Sequence, residues 1–205
     1  MTPITDKRLD VRSYRRTALA TTAAALILVM VLWNLDGLGL VLYPLRLFVT
    51  YVHEASHGLA ALATGGRVIG FSVSANGSGL ATTAGGWQPV ILPAGYLGAA
   101  LFGSGLFYLV NRFPHKARHM AVLLGMGMML FTVAFARPDA QGSWWALVLG
   151  AAFGVGLLLL GWKLSLVANM LILNVLAVMT ALNAVLDVLY LMQAIDATIG
   201  QVAND

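Results

Sequence analysis

From residue 18 to residue 192 the chain is a succession of apolar runs separated by short polar breaks. Each run approaches or exceeds the ~20 residues an α-helix needs to cross a bilayer. That pattern leaves few folds open. Backbone N–H and C=O groups in hydrocarbon must be paired inside the structure, and only helices or closed barrels achieve this. The runs cover residues 18–35, 40–65, 87–110, 120–136, 143–162 and 164–192, which predicts an all-α polytopic membrane protein of about six transmembrane helices. Hydrophobic residues make up 60% of the chain and charged residues only 10%, against about 25% charged in soluble domains. The first run is not followed by a cleavage pattern and a soluble domain, so it reads as a retained helix rather than a signal peptide.

A single membrane-embedded domain over residues 18–193 is expected, between a basic tail at 1–17 and a C-terminal tail at 194–205. The tail carries Lys7, Arg8, Arg12, Arg15 and Arg16 against Asp6 and Asp10, which places the N-terminus in the cytoplasm and the chain in the plasma (inner) membrane. The net charge of +4 reflects these tail and loop residues, so membrane orientation explains it and nucleic acid is not an expected partner. The lipid bilayer is. Six crossings would set His53 and His57 nearer the cytoplasmic leaflet but leave Arg112, Lys116 and Arg118 outside. The other reading is that one segment between Leu40 and Val110 is re-entrant.

Between the second and third runs the period changes from helical to two. Ile69, Phe71, Val73 and Ala75 alternate with Gly70, Ser72 and Ser74, Asn76-Gly77 supplies a turn, and residues 80–83 form a return strand. A β-hairpin within residues 67–86 follows. It must lie against protein, in an aqueous cavity or at the interface, because lipid cannot satisfy a strand edge. Asn76-Gly-Ser78 matches a glycosylation sequon, which the turn chemistry already explains.

Ionisable residues within the apolar runs are the next constraint, since each costs at least ~2.5–3.5 kcal/mol at bilayer depth. Of eight acidic residues only Glu54 and Asp187 lie well inside a run, and of four histidines only His53 and His57 do. His53-Glu-Ala-Ser-His57 reads H-E-x-x-H, which on a helix turns both imidazoles to one face and sets a carboxylate beside them. Cysteine is absent, so a metal must be held by His, Asp or Glu. His53, His57 and Asp187 would make three ligands, leave a fourth tetrahedral position open as catalytic zinc sites require, and keep Glu54 free as a base.

Blander readings stand beside this one. Asp187 could instead pair with Arg46 or relay protons. Asn183 and Thr180 share a face with Asp187 and serve equally well as supporting groups or as packing contacts between helices. His115 and His119 fall in a basic loop and read as solvated, and Gly150-x-x-x-Gly154 reads as helix packing. An ion or metal transporter with Glu54 and Asp187 along its path is a second class of function, although no repeated halves are visible. A catalytically silent membrane scaffold is a third.

Several of these segments together carry a family resemblance. His53-Glu-Ala-Ser-His57-Gly-Leu-Ala-Ala-Leu-Ala-Thr-Gly-Gly-Arg67-Val, the hairpin, Pro93-Ala-Gly-Tyr-Leu-Gly98 and Asn183-Ala-Val-Leu-Asp187 resemble the compact branch of the site-2 protease family, the intramembrane zinc metallopeptidases. The resemblance spans about residues 50–193. It implies Zn2+ bound by His53 and His57, Glu54 as the catalytic acid/base and Asp187 as third ligand. Better-known members carry Pro and Gly around that Asp, where this chain has Leu186-Asp187-Val188. The implied activity is hydrolysis of peptide bonds in a membrane-spanning or membrane-associated protein substrate. A substrate helix would have to unwind first, and the hairpin could offer a strand edge to the unwound segment.

Overall fold

The computed structural model describes residues 11–35, 37–136 and 144–202, with side chains over 13–35, 37–136 and 144–193. The first ten residues, Asp36, residues 137–143 and the last three residues lie outside it. Six long helices are present: α1 (Val11–Asn34), α2 (Gly39–Ala63), α4 (Ala94–Arg112), α5 (Ala117–Phe135), α6 (Trp144–Lys163) and α7 (Leu166–Val202). Between α2 and α4 come strands β1 (Arg67–Val73) and β2 (Gly79–Ala84) and the short helix α3 (Gln88–Ile91). The fold is therefore all-α and polytopic with one small hairpin. Among the described residues five helices are long and apolar enough to cross a membrane, namely α1, α4, α5, α6 and α7. Helix α2 is not among them, because His53, Glu54, Ser56, His57 and Arg46 lower its apolarity.

The chain breaks where its residues demand it. Gly37 at φ +95° turns it between α1 and α2, and Gly65 at φ +81° follows the end of α2, conformations open to glycine at little cost. The third apolar run does not form one helix from residue 87. Pro93 interrupts it, leaving α3 as a single turn and starting α4 at Ala94.

Small residues set the helix packing. A Cβ on Gly125 would lie 2.7 Å from the Gly154 carbonyl oxygen, and one on Gly103 would lie 2.6 and 2.7 Å from backbone atoms of Ala181 and Ala177. Gly150 and Gly154 thus join α6 to α5, and Gly103 joins α4 to α7, with backbones in near contact. A polar chain ties three helices inside this bundle. Thr22 donates to Asn111 Oδ1 at 2.8 Å and Asn111 Nδ2 donates to Asn174 Oδ1 at 2.9 Å. These contacts fix direction. Helices α4 and α7 are antiparallel, since Asn111 meets Asn174 while Gly103 meets Ala177 and Ala181. The start of α1 sits beside the end of α4, with the Tyr14 and His115 rings 6.3 Å apart.

The hairpin is antiparallel, with Phe71 opposite Ala81 and Val73 opposite Gly79, and a bulge between Val68 and Gly70. Its connection is longer than a two-residue turn. Ser74 N–H donates to the Ser78 carbonyl at 2.8 Å, Gly77 takes φ +90°, and Asn76 Oδ1 accepts from Ser78 N–H and Oγ. One face of β1 buries Phe71 and Val73, with the Phe71 ring 5.0 Å from that of Tyr51 and 5.1 Å from that of Phe131. The hairpin therefore lies along α2 and against α5, supported by protein rather than by lipid.

Candidate metal centre

Helix α2 brings His53 and His57 one turn apart with their Nε2 atoms 3.2 Å from each other. Two imidazole nitrogens at that separation need a proton or a cation between them, because two facing lone pairs repel. The partner of His57 decides which atom is free. Its Nδ1 lies 2.7 Å from the Ile91 carbonyl oxygen at the end of α3. With the proton assigned to Nδ1, that nitrogen donates to Ile91 and leaves Nε2 as a bare donor atom, the arrangement in which a backbone carbonyl orients a metal-binding histidine. The Ile91 carbonyl is available because α3 ends there, which leaves its last carbonyls without helical partners. The ring of His53 stands edge-on to that of Tyr96, at 4.7 Å between centroids and 80°.

The first turn of α4 keeps the space in front of these nitrogens clear. A Cβ on Gly95 would fall 2.5 Å from His57 Nε2 and closer still to His53 Nε2. Zinc–nitrogen bonds are about 2.0–2.1 Å, so a side chain at residue 95 would compete with an ion for the same space. Gly98, one turn on, lets α4 approach Ser56, whose Oγ would be 2.5 Å from a Cβ there. Two imidazole nitrogens and the cleared space in front of them are the donor type and the room that part of a zinc ion's shell takes. Gly95→Ala is therefore expected to lower zinc occupancy sharply while the helices remain; circular dichroism and metal content of the purified variant read the two separately.

Glu54 points elsewhere, into the hairpin. It is 9% exposed, and its carboxylate accepts a hydrogen bond from the backbone N–H of Ala81 on β2. Gly79 is the reason β2 can come so near. A Cβ there would fall 2.8 Å from Glu54 Oε1 and 2.8 Å from Thr50 Cγ2. Thr50 in turn donates to the Gly77 carbonyl at 3.0 Å, and the Tyr43 hydroxyl donates to that of Ala75. The hairpin thus holds the carboxylate beside the imidazole pair without making it a ligand.

The other expected site residues all lie on α7. Thr180 is fully buried, with its hydroxyl donating to the Leu176 carbonyl at 2.7 Å, and Asn183 Nδ2 donates to the Met179 carbonyl at 2.8 Å. Both satisfy their own helix. Asp187 is exposed. Among the described residues no third His, Cys, Asp or Glu converges with His53 and His57. Extended at equal rise, the α4–α7 register brings residue 187 to about the height of Gly95. Gly103 meets Ala177 and Ala181, and eight residues back along α4 to Gly95 correspond to eight forward along α7, from about 179 to 187, at equal rise.

Several contributors were hidden from sequence reasoning. The Ile91 carbonyl, the Ala81 N–H and the Thr50 hydroxyl act through backbone proximity that no side-chain pattern announces. Gly79 carries a weak signal, as a glycine opening a strand, which suggests that another chain segment comes close. His115 and His119 are both exposed, as their basic loop implied.

The chain matches the family model described as Peptidase M50B-like over residues 21–202. No curated protein and no solved structure matches it.

Proposed function

We propose, from the premise that this chain belongs to the Peptidase M50B-like family, a site-2 protease family, that it is an intramembrane zinc metalloendopeptidase acting on membrane-spanning or membrane-associated protein substrates. The observation that carries the reading is the pair of Nε2 atoms 3.2 Å apart, His57 oriented through Ile91 and both faced by a residue with no side chain. His53 and His57 would hold the zinc ion, with Asp187 as the third donor from α7. A zinc ion there supplies Lewis acidity, polarising the scissile carbonyl and acidifying water.

The chain's own groups do the rest. Glu54 takes the proton of the attacking water and returns it to the leaving amine, and its anchor to Ala81 N–H holds the carboxylate in place for both transfers. His57 is kept in one tautomer by Ile91, so its Nε2 does not need to lose a proton before binding metal. Thr180 and Asn183 each donate to a carbonyl four residues back, on the part of α7 that leads to Asp187. Incubating the purified protein in lipid with a membrane-protein substrate tests the reading. Cleavage should stop when zinc is chelated and return when zinc is restored; cleavage that persists through complete chelation overturns it.

A further inference from the structure

We infer that Tyr96 is a positioning residue for the metal centre, its ring holding the His53 imidazole so that Nε2 stays turned toward the ion. This rests on the zinc reading above and deepens it by assigning the group that orients the second histidine.

The two histidines are not supported alike. His57 has its Nδ1 on the Ile91 carbonyl at 2.7 Å, and such a bond on the outer nitrogen fixes the direction of a metal-binding ring. His53 has no equivalent. Among the described residues its ring nitrogens meet only His57 Nε2, 3.2 Å away, and no carbonyl, hydroxyl or carboxylate accepts from its Nδ1. The χ2 torsion of histidine is broad, so an imidazole without a partner on its outer nitrogen is free to turn and carry Nε2 out of line. What stands against the His53 ring instead is Tyr96, edge-on at 4.7 Å between centroids and 80° between planes. Aromatic pairs favour that arrangement.

The start of α4 brings Tyr96 there. Gly95 and Tyr96 are consecutive in its first turn, and consecutive residues of a helix with 3.6 residues per turn point about 100° apart. The bare side of Gly95 therefore meets the two Nε2 atoms, while the next side chain reaches the flank of His53. The turn is fixed in place from two directions. Gly98 lets α4 close on Ser56, which lies between the two histidines in sequence, and Gly103 sets the helix against the backbone of α7 at Ala177 and Ala181. A ring carried on so fixed a turn resists rotation of its neighbour. The contact belongs to the ring, which phenylalanine also has; an aliphatic chain fills part of the volume but has no edge and face to set the tilt of an imidazole.

Zinc affinity of the protein purified in detergent, measured by competition with a chelator of known strength, tests this. Tyr96→Phe should match wild type, and Tyr96→Leu should bind zinc about 10-fold more weakly, the lower end of the loss when a group that orients a ligand is removed. Tyr96→Met, with a flexible chain of similar reach, repeats the test should leucine disturb the start of α4. A double-mutant cycle separates positioning from a general effect on the helix. On a His53→Ala background Tyr96→Leu should cost nothing further, and on a His57→Ala background it should still cost. Wild-type affinity in both Tyr96→Leu and Tyr96→Met, a loss in Tyr96→Phe as large as theirs, or an undiminished loss on the His53→Ala background overturns the inference. Wild type that takes up no zinc ends the zinc reading and this inference with it, whereas a zinc-binding wild type with variants off this pattern ends the inference alone.

Discussion

Glu54→Gln will leave zinc binding and the fold in place and remove nearly all peptide hydrolysis, by on the order of 10²–10⁴-fold, the usual contribution of a general acid–base group. The amide has almost the shape of the carboxylate and can still accept from Ala81 N–H, so the hairpin has no reason to shift. What it lacks is a site that gains a proton from water and passes it on. Because Glu54 lies under β2 rather than in line with the two imidazole nitrogens, its charge is not needed to hold the ion. Turnover of a membrane substrate beside metal content separates the two roles. Cleavage within a few-fold of wild type would remove Glu54 from the mechanism.

Asp187→Ala should weaken zinc binding by at least ~100-fold, beyond the ~10–100-fold typical of losing a group that only orients a ligand, and activity should fall with it. Two observations support so large an effect. Asp187 is one of only two acidic residues well inside an apolar run, and the α4–α7 contacts, extended at equal rise, bring residue 187 to about the height of Gly95. Its exposure on α7 means that the carboxylate is not held by neighbours in this structure. Zinc titration of the variant against wild type reads the difference. Equal affinity would assign the third position to another donor.

The large features were legible because lipid is an unforgiving solvent. Apolar runs of spanning length gave the long helices, and the change to period two at Ile69–Ala75 gave the hairpin, since each follows from where backbone hydrogen bonds can be made. His53 and His57 stood out for the same reason. That α2 runs along the hairpin, through Tyr43, Thr50 and Glu54, was not legible from run length. The length of the hairpin connection was likewise set by the Ser74–Ser78 bond rather than by Asn76-Gly77 alone. Nor could sequence show that Gly95 faces the imidazoles, since small residues at 95, 98 and 103 look alike along α4 while touching His57, Ser56 and Ala181 respectively.

The pairing of His53 and His57 around a zinc ion is tested most directly by the metal content of the protein purified in detergent, wild type beside a His53→Ala/His57→Ala variant. The predicted result is about one zinc ion per chain in the wild type and none in the variant, as expected when the two imidazoles supply most of the ligands. A folded, monodisperse wild type that holds no zinc even after zinc is supplied, or a variant that retains it, would contradict the account.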